Sequence, residues 1–87
     1  MKATIGRTVI VLGHHSNGSM EHPGVITRCF SDIDTDVGPA MVNVTMFPDA
    51  APPCYHGSVQ LFNNREQAQA HCAGRMGMVA AFWPPRA

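Results

Sequence analysis

Charge is what this sequence has least of. Only 14% of its 87 residues are Asp, Glu, Lys or Arg, against a usual share of ~25%. The formal net charge is zero, and the six basic residues (Lys2, Arg7, Arg28, Arg65, Arg75, Arg86) form no run. Binding to a phosphate backbone depends on clustered cations, so nucleic acid is not an expected partner. Long apolar runs are missing too. The longest, Val9 to Leu12, is far too short to span a bilayer, and no membrane association is expected. No N-terminal stretch has the order of a signal peptide. Cys29, Cys54 and Cys72 are an odd number of cysteines without framework spacing, which implies reduced thiols and a cytoplasmic protein.

Catalytic signatures are also absent. There is no G-x-S-x-G, Walker A or H-E-x-x-H pattern, and each of those chemistries needs its residues at that spacing. Cys72 adjoins His71, but neighbours on a helix point in different directions. No catalytic residue is assigned, and an enzyme is not expected. So few charges on a small chain imply burial of apolar surface between copies, hence a homo-oligomer.

What the chain does have is short strands. At 87 residues it has room for a single domain, 1–87, with one core. Arg7 to Leu12 is rich in β-branched residues and predicts a first strand ending at Gly13, with a loop from His14 to Gly24. Ser16-Asn17-Gly18-Ser19 supplies turn chemistry within that loop, and Pro23-Gly24 closes it. Val25 to Ser31 predicts a second strand. In Met41 to Phe47, Val42, Val44 and Met46 alternate with Asn43 and Thr45, the pattern of a half-buried strand. Cys54 to Phe62 predicts a fourth, with Tyr55, Val59 and Leu61 on one side and a possible bulge at Gly57. Within Asn63 to Arg75, Asn64 as N-cap and Gly74 as stop predict one short helix. Val79 to Trp83 is the last strand. Five strands and one helical excursion predict a small antiparallel barrel or sandwich.

Four segments in order carry a family resemblance: Ile5-Gly6-Arg7, then Pro23 to Arg28, then Val42 to Asp49, and finally Phe82-Trp83-Pro84-Pro85-Arg86. The chain resembles a widespread set of small uncharacterised proteins of tailed phages and prophages. That resemblance implies an SH3-like β-barrel in the host cytoplasm, with no settled activity. It covers most of the chain except residues 63–78, where relatives have a short acidic loop. At the end, Phe82 stands beside Trp83, where the family has a Trp two positions before another.

Three constellations remain. Asp32-x-Asp34-x-Asp36 has the early spacing of a calcium loop, but Val37 stands where Gly is required and Asn43 where an acidic ligand is required. A solvated acidic hairpin tip is the expectation. Cys54 and His56 share a strand face, and His71-Cys72 offers a second pair for zinc. No C-x-x-C supports the set, so surface histidines, buried thiols, no metal and no cofactor are expected. Lastly, Arg7, Arg28 and His56 offer cationic contacts while Tyr55 and Trp83 offer aromatic faces. These five are the candidate ligand-binding residues for a small anionic, nucleotide-type ligand. Arg28 stands out because Ile26 and Phe30 flank it on an apolar face. A non-enzymatic module that sequesters such a signal in counter-defence is the leading expectation. The alternative is a protein–protein interaction module acting on a host or virion protein.

Overall fold

The Asn17-Gly18 dipeptide organises the first half of the chain. In the structure, a computed structural model that describes residues 1–85, Asn17 and Gly18 both have positive φ (50° and 79°). That is the two-residue turn whose twist matches an antiparallel hairpin. Strand β1 (Thr8–Ser16) therefore runs straight into the turn, and β2 (Ser19–Cys29) leaves it, with Ser16 opposite Ser19. The loop expected over His14 to Gly24 is two strand ends instead. Pro23 lies inside β2, opposite Ile10. Its carbonyl accepts from the Phe47 N–H, just past the end of β3. The missing N–H of Pro23 points the same way, where the ladder has run out.

Strands β3 (Ala40–Met46) and β4 (Cys54–Phe62) follow, then helix α1 (Arg65–Cys72) and strand β5 (Ala80–Phe82). The five strands close into a barrel in the order β1-β2-β3-β4-β5, the small SH3-like class with one short helix. Four pairings are antiparallel, and β4 with β5 is parallel. An odd number of strands that alternate in direction cannot close without one parallel pair. A parallel pair needs a crossover, usually helical. The helix over 65–72 lies in that crossover, between the parallel strands β4 and β5. Its start is capped as its sequence implies: Asn64 Oδ1 accepts from the Gln67 N–H at 3.0 Å.

Two cores result. Inside the barrel, Val9, Val11, Ile26, Val42, Val44, Met46, Val59 and Leu61 pack together with Ala81 and Trp83. Outside it, Leu12, Ala80 and Phe82 pack beneath Ala68 of α1. β1 thus has both faces covered, which is why Val9 to Leu12 reads as an unbroken apolar run rather than an alternation. Among the described residues, no helix is long and apolar enough to cross a membrane.

The acidic turn is neither a calcium loop nor a bare hairpin tip. Asp34 Oδ1 accepts from the Met1 ammonium at 2.7 Å, and Lys2 lies 3.6 Å from Asp32. Next to Asp34, Thr35 is buried, and its hydroxyl accepts from Trp83 Nε1 at 2.9 Å. The N-terminal segment is thereby clasped to the turn, and the turn to Trp83 just past the last strand.

Candidate functional site

Three bulges decide which side chains face one another. On β1, Gly13, His14 and His15 lie opposite Met20 alone, because Leu12 pairs with Glu21 and Ser16 with Ser19. Gly13 adopts φ +115°, and a Cβ there would sit 2.2 Å from the Met78 carbonyl oxygen. Only glycine fits both conditions. On β2, Thr27 is the extra residue between Ile26, opposite Val44, and Arg28, opposite Asn43. On β4, Gly57 and Ser58 lie where β3 has only Asn43. Asn43 binds both irregular strands: its carbonyl accepts from Thr27 Oγ1 at 3.2 Å and its Oδ1 from the Ser58 N–H at 2.8 Å.

An extra residue switches every side chain beyond it to the other face. Gly57 was expected to interrupt the side shared by Tyr55, Val59 and Leu61. The bulge instead turns Tyr55 outward, 64% exposed, while Val59 and Leu61 stay buried. Cys54 and His56 now take the inner side, opposite Met46 and Val44. There they meet His14 from β1. The Cys54 Sγ lies 3.9 Å from His56 Nε2, and the His14 and His56 rings meet edge to face with centroids 5.8 Å apart. The donor atoms of His14, Cys54 and His56 all lie within 4.8 Å of one another. Burial, and after it the charge of the neighbouring His14, hold the His56 imidazole below its ordinary pKa.

A third histidine adjoins the cluster without belonging to it. His22 is buried, with 2% of its surface exposed, and both its ring nitrogens are committed. Nε2 lies 2.9 Å from the His14 carbonyl oxygen, and Nδ1 accepts from the Asp49 N–H. These partners set the tautomer with the proton on Nε2. The pair His71-Cys72 does not join the cluster either. His71 packs against Phe62, and the Cys72 thiol donates to the Met78 carbonyl at 3.6 Å. Burial pushes that thiol up, against the opposing pull of Arg75. None of the three cysteines forms a disulfide.

The five candidate ligand residues do not converge on one place. Arg7 and Trp83 do meet: the guanidinium carbon lies 5.4 Å from the indole centroid. Trp83 is only 7% exposed, so its ring is a wall of the core rather than an open stacking face. Arg28 is exposed. The Thr27 bulge removes it from the inner face held by Ile26, and its guanidinium lies 4.9 Å from the Phe30 centroid. Tyr55 folds its hydroxyl over Gly57, where a Cβ would lie 2.6 Å from the oxygen. His56 belongs to the cluster with His14 and Cys54.

Two open clefts flank the Trp83-Pro84-Pro85 segment. The smaller, of about 490 Å3, is lined by Gly6, Arg7 and Thr8 on its far side. The larger, of about 600 Å3, is lined by Asp36 and by residues 63–66 at the start of α1. Arg65 is occupied there, its guanidinium 2.7 Å from the Glu21 carboxylate. Arg7 has no carboxylate partner among the described residues. Arg86, the remaining cation of the C-terminal motif, lies outside the described residues.

No protein-family model matches the chain, and no curated protein or solved structure matches it significantly. The site is therefore read from its own geometry. His14 was missed as a partner of Cys54 and His56 because the sequence places it in a loop. An Asn-Gly hairpin drawn at Asn17-Gly18 extends β1 through His14 and contains the missing signal.

Proposed function

We propose that this protein is a non-enzymatic binding module that receives a small anionic, nucleotide-type ligand beside Arg7. The observation that carries the reading is the state of that side chain. Its guanidinium is braced against Trp83 at 5.4 Å, borders a cleft of about 490 Å3, and has no carboxylate partner among the described residues. A guanidinium stacked on an aromatic ring is oriented in advance and keeps its N–H edge for phosphate or carboxylate. The cleft falls within the ~300–1,000 Å3 range of small-molecule sites. Arg28, braced on Phe30, is a second cation without a carboxylate partner among the described residues, but it borders neither cleft.

The resemblance to phage and prophage proteins supplies the setting: sequestration of a nucleotide signal in the host cytoplasm, by a homo-oligomer. Calorimetric titration with cyclic nucleotides, linear nucleotides and ADP-ribose-type compounds tests the ligand. Saturable heat from a phosphate-bearing member, lost in Arg7→Ala, is the expected result. No heat from the whole panel rejects the reading.

A protein–protein module is the second reading, favoured by Ile5 and Val37, which stand 71% and 86% exposed. Ile5 lies one residue from the Gly6-Arg7 wall of the smaller cleft, and Val37 follows Asp36 of the larger one. Light scattering with and without ligand separates the two. A nucleotide-independent complex with a host or virion protein favours the second.

A further inference from the structure

The cluster of His14, Cys54 and His56 is unrelated to the cleft at Arg7 and has its own chemistry. Its three side chains come from β1 and β4, and each is only partly buried. Apart from the Cys54–His56 contact at 3.9 Å, none of the three side chains has a hydrogen-bond partner among the described residues. Three good donors, one of them a thiol, thus converge without a polar network that would account for it.

We propose that His14, Cys54 and His56 form a site for one zinc ion. The distances suit the metal. With Zn–S of about 2.3 Å and Zn–N of about 2.0–2.1 Å, tetrahedral ligands stand about 3.6 Å apart. The Cys54–His56 separation of 3.9 Å is close to that, and the whole set spans no more than 4.8 Å. The donor types suit it as well, since a thiolate and two neutral imidazoles select zinc over calcium or magnesium.

On binding, the Cys54 thiol loses its proton to solvent, a sulfur–zinc bond forms, and each histidine donates a ring-nitrogen lone pair; nothing is oxidised or reduced. His22 cannot be a fourth ligand, because Nδ1 already accepts from Asp49 and Nε2 faces the His14 carbonyl. It acts behind the site, fixing the backbone from which His14 projects. The protein supplies three ligands, and the fourth position goes to water or a small anion. Three protein ligands plus an exchangeable position is an open zinc site rather than a closed structural one.

The backbone supports the same reading. His14 follows Gly13, whose bulge only glycine can make, and Cys54 and His56 face inward because of the bulge at Gly57–Ser58. Two separate irregularities therefore bring three ligands to one point.

The test is titration of the intact protein, freed of metal, with cobalt(II) and then zinc(II). The expected result is one cobalt per chain, with a near-ultraviolet thiolate-to-cobalt charge-transfer band and strong tetrahedral d–d bands, both abolished by equimolar zinc. Cys54→Ser should remove the charge-transfer band, and Cys72→Ser should retain it. His14→Ala and His56→Ala should each weaken zinc by more than the roughly 10–100-fold lost with a supporting contact. A wild-type protein that shows no charge-transfer band overturns the proposal, whatever the variants do. So does a band that persists in Cys54→Ser.

Discussion

The Oδ1 of Asn43 accepts a 2.8 Å hydrogen bond from the backbone N–H of Ser58, a residue held at φ +54°. That bond holds the β4 bulge, and the bulge decides which of Tyr55 and His56 faces inward. Replacing Asn43 by Ala leaves the Ser58 N–H without its partner. A loss of about 1–2 kcal/mol is expected in urea unfolding. Ser58→Gly should move the other way, gaining up to about 1 kcal/mol, because glycine adopts positive φ without strain. A destabilised Ser58→Gly would contradict this account of the bulge.

Gly13 is the stricter case. Any Cβ at φ +115° would lie 2.2 Å from the Met78 carbonyl oxygen. Backbone must move on one side or the other. Gly13→Ala should cost about 3 kcal/mol or more, seen as a lowered midpoint of thermal or chemical unfolding. Gly18→Ala offers a control with positive φ and nothing within 4 Å, and it should cost clearly less.

Trp83 donates its Nε1–H to the buried Thr35 hydroxyl at 2.9 Å. Trp83→Phe removes that donor and part of the core volume, for an expected loss of about 2–4 kcal/mol. Thr35→Val alone should leave the indole N–H unsatisfied and cost about 1–3 kcal/mol. The double variant should cost less than the sum of the two. Strict additivity would mean that the bond contributes nothing to stability.

The clasp between Met1 and Asp34 sets a pH window. The hydrogen bond from the Met1 ammonium, followed by that from the Asp36 backbone, holds the Asp34 carboxyl below its ordinary value of 3.8. A depressed acid contributes stability above 3.8 and loses it as pH falls through the lowered value. The same contact raises the Met1 ammonium above 8.0, so its share is present below 8.0 and lost as pH rises through the raised value. Melting temperature should therefore decline on both sides of that window. In Asp34→Asn both limbs should flatten. The change will be small because the pair is partly exposed and screened.

The strands were legible in the sequence wherever one face is wet and the other dry. Val42, Val44 and Met46 alternate, and the structure buries all three while Asn43 and Thr45 remain partly accessible. Strand β4 begins and ends where its residues imply, and the Asn64 cap starts α1 as local hydrogen-bonding chemistry requires. These are near-neighbour effects, with period and cap written within a few residues.

Orientation around the bulges was another matter. Tyr55 and Arg28 were placed on the wrong faces because each lies next to an extra residue, at Gly57–Ser58 and at Thr27. A period-2 pattern carries no mark of where the count slips. His14 was left in a loop for a related reason, since the long hairpin forms only when β1 and β2 pair across Asn17-Gly18. The sequence by itself determined the strand-rich barrel, its turns and its single helix, because periodicity and caps act locally. Only the tertiary structure decided that the helix lies in the crossover of an odd-stranded barrel. It alone brought His14 to Cys54 and His56 and left Arg28 out of the cleft that Arg7 borders. Closure and register join residues distant in the chain, and no local pattern records which of them will meet.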